Sequence, residues 1–417
     1  MGFPNSEVLS GIYGKDASRA KKRYESLTEN FRKNFSSADG AEPEYFTAPG
    51  RTEIIGNHTD HNGGKILAAS ITLDTIAAAS LSGNSIITIV SEGYKLPIIV
   101  DTDKLGEVPT EHGSFSLVGG MMVAARSFGY KVGGFNAYVS TEVISSAGVS
   151  SSASFEMLVC SIVNYFFNDG TVDYAHYAMM GQFAENKFWN KASGLMDQMA
   201  CACGGTILLD FSDGVKYEKV NFGFDALGYN EVIINTGKGH ADLSAEYSSI
   251  PNEMRLVAKE LGADNLCGSD ETTLLKKLPA IRAKLGNDRA VLRALHYYEE
   301  CGRVENAAKE LENGNTEEVL RMIDESGRSS WEWLQNVYCI NDPKEQSISL
   351  ALALTKLYIN KIGSGVCRIH GGGFAGVIMA VIPEEKTAGY VDFMTPYFGA
   401  DNIYPMGIRQ VGAVHVE

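Results

Sequence analysis

The stretch SSAGVSSSASFEMLVCSIVNYFF, residues 145 to 167, has a glycine and three consecutive serines directly before a long apolar run. Residues 153 to 167 are apolar nearly all round, which predicts a buried helix that begins just after the serines. Backbone N–H groups and the positive end of the helix dipole then meet at one spot, which favours an anion such as a nucleotide phosphate. The segment therefore predicts a phosphate cradle, although one without a lysine, and an ordinary serine N-cap explains it equally well.

A second glycine-bearing stretch, APGRTEIIGNHTDHNGG at residues 48 to 64, crowds polar side chains into one turn. The side chains in question are Arg51, Asn57, His58, Asp60 and His61. Short polar groups of this kind suit hydrogen bonding to a polyhydroxylated ligand. A metal site is the alternative, since the two histidines and the aspartate are possible ligands, but no other cluster completes the coordination shell.

Two carboxylates form a third candidate group, Glu185 and, twelve residues later, Asp197 within SGLMDQMACACGG. Asp197 has leucine and methionine neighbours, where an unpaired charge would be costly. We therefore expect Asp197 to have a cationic partner, and Arg51 is the candidate. Cys201 and Cys203 of the same segment are expected to be packed, reduced thiols.

The stretch GGGFAG, residues 371 to 376, matches the pattern GxGxxG. The apolar, strand-like run VIMAVIP follows it where a dinucleotide-binding loop would need a helix. No VAIK, HRD or DFG motif of a protein kinase and no GxxxxGK[ST] motif is present in the sequence. The pattern therefore predicts neither of these two folds.

The chain of 417 residues is long enough for two or three domains. Helical patterns are predicted at 15 to 36, 153 to 167, 174 to 189, 252 to 262, 288 to 312, 315 to 328 and 344 to 361. Strand-like runs are predicted at 66 to 71, 85 to 90, 134 to 139, 206 to 210 and within 366 to 383. We predict an α+β fold with two domains, 1–205 and 206–417, and an active site in the cleft between them.

Composition excludes several classes of protein. The sequence has 36 Lys and Arg against 51 Asp and Glu, a net charge of −15, and no dense basic run, so nucleic acid is not expected as a partner. No stretch approaches 18 uninterrupted apolar residues, so no membrane span is expected. The first residues lack the features of a signal peptide and the 7 cysteines are scattered, so we expect a cytoplasmic protein.

Four segments, taken in order, resemble the motifs of the galactokinase branch of the GHMP small-molecule kinases. The stretch at 48 to 64 resembles the family's galactose signature GRxNxIGEHTDYNGG, and GVSSSAS resembles its phosphate loop GLSSSAS. GLMDQ, residues 194 to 198, is similar to its GIMDQ, and CRIHGGGFAG, residues 367 to 376, is similar to its third motif. HADLSAEY, residues 240 to 247, is also similar to a short stretch between those two motifs.

The resemblance implies a two-domain GHMP kinase that uses ATP and Mg²⁺ to phosphorylate the anomeric C1 hydroxyl of galactose, giving galactose 1-phosphate and ADP. It implies sugar and ATP as ligands and no obligate protein partner. Asp197 would orient or deprotonate the C1 hydroxyl, Arg51 would stabilise the developing charge, and Ser152 with Glu185 would hold Mg²⁺. The other implied site residues are Gly148, Val149, Ser150, Ser151 and Ser152 at the ATP phosphates and Asn57, His58, Asp60, Gly194 and Tyr247 at the sugar.

The chain departs from the motifs at four positions. Glu53 replaces the family's Asn, Asn57 replaces its Glu, His61 replaces its Tyr, and His370 stands where the third motif often has Thr or Met. The family's Glu accepts a hydrogen bond from the far hydroxyls of the sugar, near C6. Its replacement by Asn57 removes a negative charge that would repel a C6 carboxylate, so galacturonate is an alternative substrate to galactose.

A third hypothesis belongs to another class of protein. Some galactokinase-like regulators bind sugar and ATP and have lost catalysis, so a sensor is an alternative to an enzyme. The presence of all four implied catalytic and metal-binding residues is evidence against this alternative.

Overall fold

The computed structural model describes residues 3–35, 42–144, 148–191, 193–237 and 243–417. Residues 145 to 147 of the serine-rich stretch and residues 240 to 242 of HADLSAEY lie outside the described residues. Within the described ranges, helices cover a sheet of 8 strands and a sheet of 4 strands, which confirms the predicted α+β class.

The strands of the larger sheet run in the order β12-β1-β2-β5-β3-β4, with β6 paired to β2 and β7 paired to β6. The smaller sheet has the order β11-β8-β10-β9. The bounds of the strands are β1 Glu44–Ile55, β2 Lys65–Leu81, β3 Ile86–Ser91, β4 Ile98–Asp101, β5 Phe135–Thr141, β6 Thr206–Asp210, β7 Lys216–Val220, β8 Tyr229–Asn235, β9 Val366–His370, β10 Val377–Pro383, β11 Ile403–Met406 and β12 Val414–Val416.

The helices predicted at 153 to 167, 174 to 189 and 288 to 312 are α4, α5 and α9, and each end lies within two residues of the prediction. Among the described residues, no helix has the length and apolar character to cross a membrane. The bounds of the helices are α1 Ser6–Tyr13, α2 Ala17–Asn34, α3 Gly113–Ser127, α4 Ser151–Asn168, α5 Tyr174–Phe188, α6 Met196–Cys203, α7 Ser244–Leu261, α8 Glu271–Leu285, α9 Asp288–Glu312, α10 Thr316–Ser329, α11 Ser347–Ile362 and α12 Thr387–Phe398.

Sheet membership does not follow the predicted division of the chain at residue 205. Strands β6 and β7, which come after that residue, pair with the larger sheet, and β12 returns to it from the end of the chain. The division into 1–205 and 206–417 stays a prediction, and the strand pairing extends the first sheet across it.

Strand β1 lies where the two halves of the chain meet. It is buried along nearly its whole length, with α4 and α6 of the first half and α9 and α10 of the second half in contact with it. Thr52 on β1 donates a hydrogen bond to Glu231 on β8, which joins the two sheets directly. Cys201 and Cys203 on α6 are buried free thiols, as the sequence predicts. This position of β1 brings its side chains to the junction where the candidate site lies.

Candidate active site

Strand β1 presents its polar residues through two irregularities. Its register against β2 shifts between Pro49 and Arg51 and again between Glu53 and Ile55. Irregularities of this kind bend a strand and re-aim its side chains, and they are common beside active sites. They flank the three residues Arg51 to Glu53, whose side chains all bond to distant parts of the chain.

Arg51 and Asp197 form the ion pair that the sequence predicts. Nε and Nη2 of Arg51 both lie 2.8 Å from Oδ1 of Asp197, and Nη1 donates to the carbonyl oxygen of Gly148. Burial opposes ionisation of Asp197, but the positive charges of Arg51 and Lys191 and a hydrogen bond from Ser150 hold its pKa below the ordinary value. Asp197 is therefore an ionised hydrogen-bond acceptor at neutral pH.

Ser150 connects Asp197 to the start of helix α4. It lies in the left-handed region, with φ of 58°, and its hydroxyl donates to Oδ2 of Asp197 at 2.6 Å. Within the described residues its side chain makes no capping bond to α4, so the alternative of an ordinary serine N-cap is wrong. The first N–H groups of the helix thus lack a side-chain cap, which is the arrangement that an anion site needs.

Ser152, at the start of α4, lies beside Glu185 of α5. The Ser152 hydroxyl donates to Oε1 of Glu185 at 3.0 Å, and the Lys191 ammonium contacts both side chains. Burial alone would lower the pKa of Lys191, but the charges of Glu185 and Asp197 raise it above the ordinary value. A hydroxyl and a carboxylate fit Mg²⁺, because this ion binds oxygen and usually takes one or two carboxylates together with nucleotide phosphates.

Gln198 connects Glu185 to a second buried acidic residue, Glu156. Its amide donates to Oε2 of Glu185 at 3.2 Å and to Oε2 of Glu156 at 3.1 Å. Burial first, and the charge of Glu185 second, raise the pKa of Glu156 well above the ordinary value. The raised pKa favours the neutral form of Glu156. Glu185, which accepts from Ser152 and contacts the Lys191 ammonium, is the carboxylate of the pair that can face a cation.

A cavity of about 180 Å³ opens beside Asp197. Of the five predicted sugar-binding residues, Asn57, His58, Asp60 and Gly194 line it. The described lining does not include Tyr247, whose hydroxyl donates to the carbonyl of Gly373 at 2.9 Å. The complete lining is Arg51, Glu53, Asn57, His58, Asp60, His61, Lys191, Ser193, Gly194, Met196, Asp197, Gly371 and Gly372.

Asn57 is fully buried and hydrogen-bonded within the protein. Its Nδ2 donates to Oε1 of Glu53 at 3.0 Å and to the carbonyl of Gly371 at 2.7 Å, while its Oδ1 accepts from Asn336 at 2.7 Å. Both donors are thus used, and Asn57 holds the Glu53 carboxylate in the cavity wall. Arg368, also fully buried, donates to the same Glu53 oxygen at 2.8 Å.

His58 is a neutral donor in this turn. Burial, followed by the neighbouring ring of His61, lowers the pKa of His58 to about 4, and its Nε2–H donates to the carbonyl of Gly372 at 2.8 Å. Among the described residues, no three His, Cys, Asp or Glu side chains are grouped to hold a metal ion. The geometry therefore disfavours the metal-site alternative for the turn that contains Asp60.

A larger cavity of about 420 Å³ begins at Ser151 and Ser152 and was not predicted from the sequence. Aromatic and aliphatic side chains dominate its walls, which suits a flat heterocyclic base. The residues that line it include Tyr94, Leu96, Ile98, Phe115, Leu117, Phe155 and Trp189. They come from distant parts of the chain, so no local pattern marks them.

Glycine at position 194 leaves room for the Asp60 carboxylate, because a Cβ there would lie 2.1 Å from Oδ2 of Asp60. We expect Gly194→Ala to displace the Asp60 carboxylate and to raise about tenfold the KM for the sugar that the sequence resemblance implies, through the loss of one good polar contact. Steady-state kinetics at saturating ATP measure this change. Gly302→Ala, where a Cβ meets nothing within 4 Å, is the matched control. An unchanged KM in Gly194→Ala would contradict a role for Asp60 in binding.

Known proteins are similar to this chain in sequence and in fold. Residues 29–81 match the galactokinase galactose-binding signature, and residues 116–205 match the GHMP kinases N terminal domain. A galactokinase from Lactococcus lactis subsp. lactis (strain IL1403) is 30% identical over 370 residues, which cover 87% of this chain and 88% of the relative. This chain belongs to the galactokinase family.

Further relatives of the galactokinase family agree. A galactokinase from Clostridium perfringens (strain 13 / Type A) is 30% identical over 379 residues, 88% of this chain and 91% of the relative. The crystal structure of Lactococcus lactis galactokinase complexed with galactose has a TM-score of 0.79 at 26% identity and covers 94% of this chain and 99% of that one. A mevalonate kinase at 14% identity, with a TM-score of 0.61, shares the fold alone. The predicted family, GHMP kinase fold and enzyme class, a sugar kinase that uses ATP, are thereby confirmed.

Proposed function

We propose that this chain transfers the terminal phosphoryl group of ATP to the C1 hydroxyl of galactose, and releases galactose 1-phosphate and ADP. The observation that carries the proposal is the position of Asp197. It lies on the wall of the smaller cavity, holds hydrogen bonds from Arg51 and Ser150, and is joined through Ser150 to the helix start beside the larger cavity. The named activity of the relatives supports galactose as the sugar.

The sugar binds in the smaller cavity with its C1 hydroxyl at Asp197. The C1 oxygen attacks the terminal phosphorus, the new O–P bond forms, and the bond between that phosphorus and the bridging oxygen of ADP breaks. The hydroxyl proton passes to Asp197, whose depressed pKa makes this transfer late, and the ionised carboxylate orients the hydroxyl before the transfer. Arg51, held at 2.8 Å from Asp197, keeps the carboxylate ionised and in place.

The nucleotide binds in the larger cavity with its phosphates at the start of α4. Ser151 and Ser152 line this cavity, so the N–H groups of the first helical turn face the phosphates. The aromatic side chain of Trp189 offers a surface for the base. Mg²⁺, held by Ser152, Glu185 and the phosphates, would neutralise charge on the transferring group, which is the chemistry that phosphoryl transfer needs.

Galactose is favoured over galacturonate by the position of Glu53. The sequence suggests that Asn57 removes a negative charge from the sugar-binding wall. Instead, a carboxyl group lines the same cavity from Glu53, in contact with Asn57 and four residues earlier in the chain. Burial raises the pKa of Glu53, while its ion pair with Arg368 favours the charged form. A C6 carboxylate would approach this group, whereas a neutral hydroxyl can donate to it.

ADP release from the purified protein with Mg²⁺ and ATP tests the function. The sugars are galactose, galacturonate, N-acetylgalactosamine, glucose and glucuronate, and ³¹P NMR identifies the product. We expect galactose to be turned over well above the others and the product to be the 1-phosphate. Preference for galacturonate would contradict the proposal that galactose is the substrate. Sugar-dependent thermal stabilisation without any ADP release would make the protein a sensor.

A further inference from the structure

Lys191 supplies a cation that the serine-rich loop itself lacks. The turn after α5 is closed by a hydrogen bond from the backbone N–H of Lys191 to the carbonyl of Glu185 at 3.0 Å. The turn returns the Lys191 side chain to α4, where its ammonium lies 3.3 Å from the Ser152 hydroxyl and also contacts Glu185. A residue outside every recognised motif is thus part of the phosphate-binding region.

The ammonium has capacity for a further partner. A lysine carries three N–H donors, and two are directed to Ser152 and Glu185. The Lys191 side chain is 47% exposed, whereas Glu185 beneath it is 1% exposed. Nearly half of the Lys191 side chain is therefore open to solvent, while the buried carboxylate anchors its ammonium.

Lys191 also lies between the two cavities. It lines the smaller cavity together with Asp197, and its hydrogen-bond partner Ser152 lines the larger one, as does Trp189 two residues before it. A phosphoryl group that passes from nucleotide to sugar crosses this junction. An ammonium there is close to the oxygens on which negative charge is concentrated.

We propose that Lys191 is a catalytic residue of this kinase, whose ammonium binds the terminal phosphate of the nucleoside triphosphate and stabilises it during transfer. The proposal rests on the proposed function for the identity of the nucleotide. The competing role is purely structural, in which Lys191 serves only as the counter-ion of Glu185. The two roles differ in one measurable respect, because ADP lacks the phosphate that Lys191 would bind.

The test is calorimetric binding of ATP and of ADP, without sugar and without Mg²⁺, to the wild type and to Lys191→Met. We expect ATP affinity to fall by roughly tenfold to a hundredfold, the loss of one charge-assisted contact, and ADP affinity to change less than about threefold. Lys191→Arg should keep most of the ATP affinity. Lys187→Met, at an exposed lysine of helix α5 just before this turn, carries the same charge change and is the matched control.

Equal losses for ATP and ADP, or no loss for ATP, would overturn the proposal and leave the structural role. Lys191→Gln keeps a hydrogen-bond donor for Glu185 without the charge, so it gives the same reading if the Met variant fails to fold. Selective loss of ATP binding in the variants, together with no turnover of any sugar by the wild type, would overturn the proposed function and uphold the role of Lys191. Turnover of a sugar by the wild type, with equal losses of ATP and ADP affinity in the variants, would uphold the proposed function and overturn the role of Lys191.

Discussion

Replacing Asp197 with asparagine is expected to lower kcat for galactose about a thousandfold, within the range that a positioned proton acceptor contributes. The amide keeps the shape and one acceptor oxygen, but it loses the charge that Arg51 and Ser150 hold in place. The C1 hydroxyl then has no anionic acceptor when its oxygen attacks phosphorus. Stopped assays of ADP release over a wide range of enzyme concentration measure the loss.

The KM for galactose separates this effect from damage to the site. Because Asp60 and Gly194 remain, we expect the KM to change less than about tenfold, the value of one polar contact. Asp213→Asn, in a carboxylate that is 89% exposed and forms a surface ion pair with Lys216, is the control and should retain full activity. A kcat within about threefold of wild type in Asp197→Asn would exclude Asp197 as the acceptor.

Sequence motifs identify the parts of the site that are local in the chain. The phosphate loop, the sugar turn and the segment around Asp197 each carry their chemistry within about 20 residues, so their composition alone marks them. The pairing of Arg51 with Asp197, 146 residues apart, was also predictable, because a charge among apolar neighbours requires a partner. Few arginines were candidates in the motif-bearing segments, which made the choice possible.

The rest of the site depends on tertiary contacts that no local pattern encodes. Asn336 donates a hydrogen bond to Asn57, 279 residues away in the chain, and this contact fixes the Asn57 amide in the cavity wall. Lys191 was missed because it lies outside the motifs, although its position between Glu185 and Asp197 in the sequence is a signal for it. The composition of a motif therefore indicates where the site lies in the sequence, but it does not indicate which distant residues contact each other there.

One helix that was not predicted shows the same limit in the fold. Helix α3, residues Gly113–Ser127, has Gly119 and Gly120 at its centre, and glycine lowers helix propensity. A Cβ on Gly120 would lie 2.7 Å from Phe188 of α5, and one on Gly119 would lie 2.6 Å from Val108. The glycines are thus present for close packing, and tertiary packing supplies the stability that propensity withholds.

Exchanging Glu53 and Asn57 is expected to show that the two positions form one unit. Glu53→Asn leaves the fully buried Arg368 without its carboxylate, which should cost about 3–5 kcal/mol of the free energy of unfolding. Asn57→Glu puts a second carboxylate against Glu53 and against the carbonyl of Gly371, where the amide now donates, and should also destabilise strongly. Urea unfolding measures both losses.

The double variant Glu53→Asn/Asn57→Glu restores one amide and one carboxylate to the same contact, with the order of the family's signature. We expect it to be more stable than the sum of the single losses by about 0.5–3 kcal/mol, the coupling of residues in one hydrogen-bond network. Asn57→Glu combined with the remote Asp213→Asn should show additive losses, since that carboxylate is distant and exposed. Additive losses in the Glu53 and Asn57 double variant would mean that the two substitutions do not compensate each other. Coupling, with galactose still preferred over galacturonate, would mean that this chain keeps the carboxylate of the family's signature in the cavity wall. It carries that group at Glu53 on strand β1 instead of at position 57 in the turn.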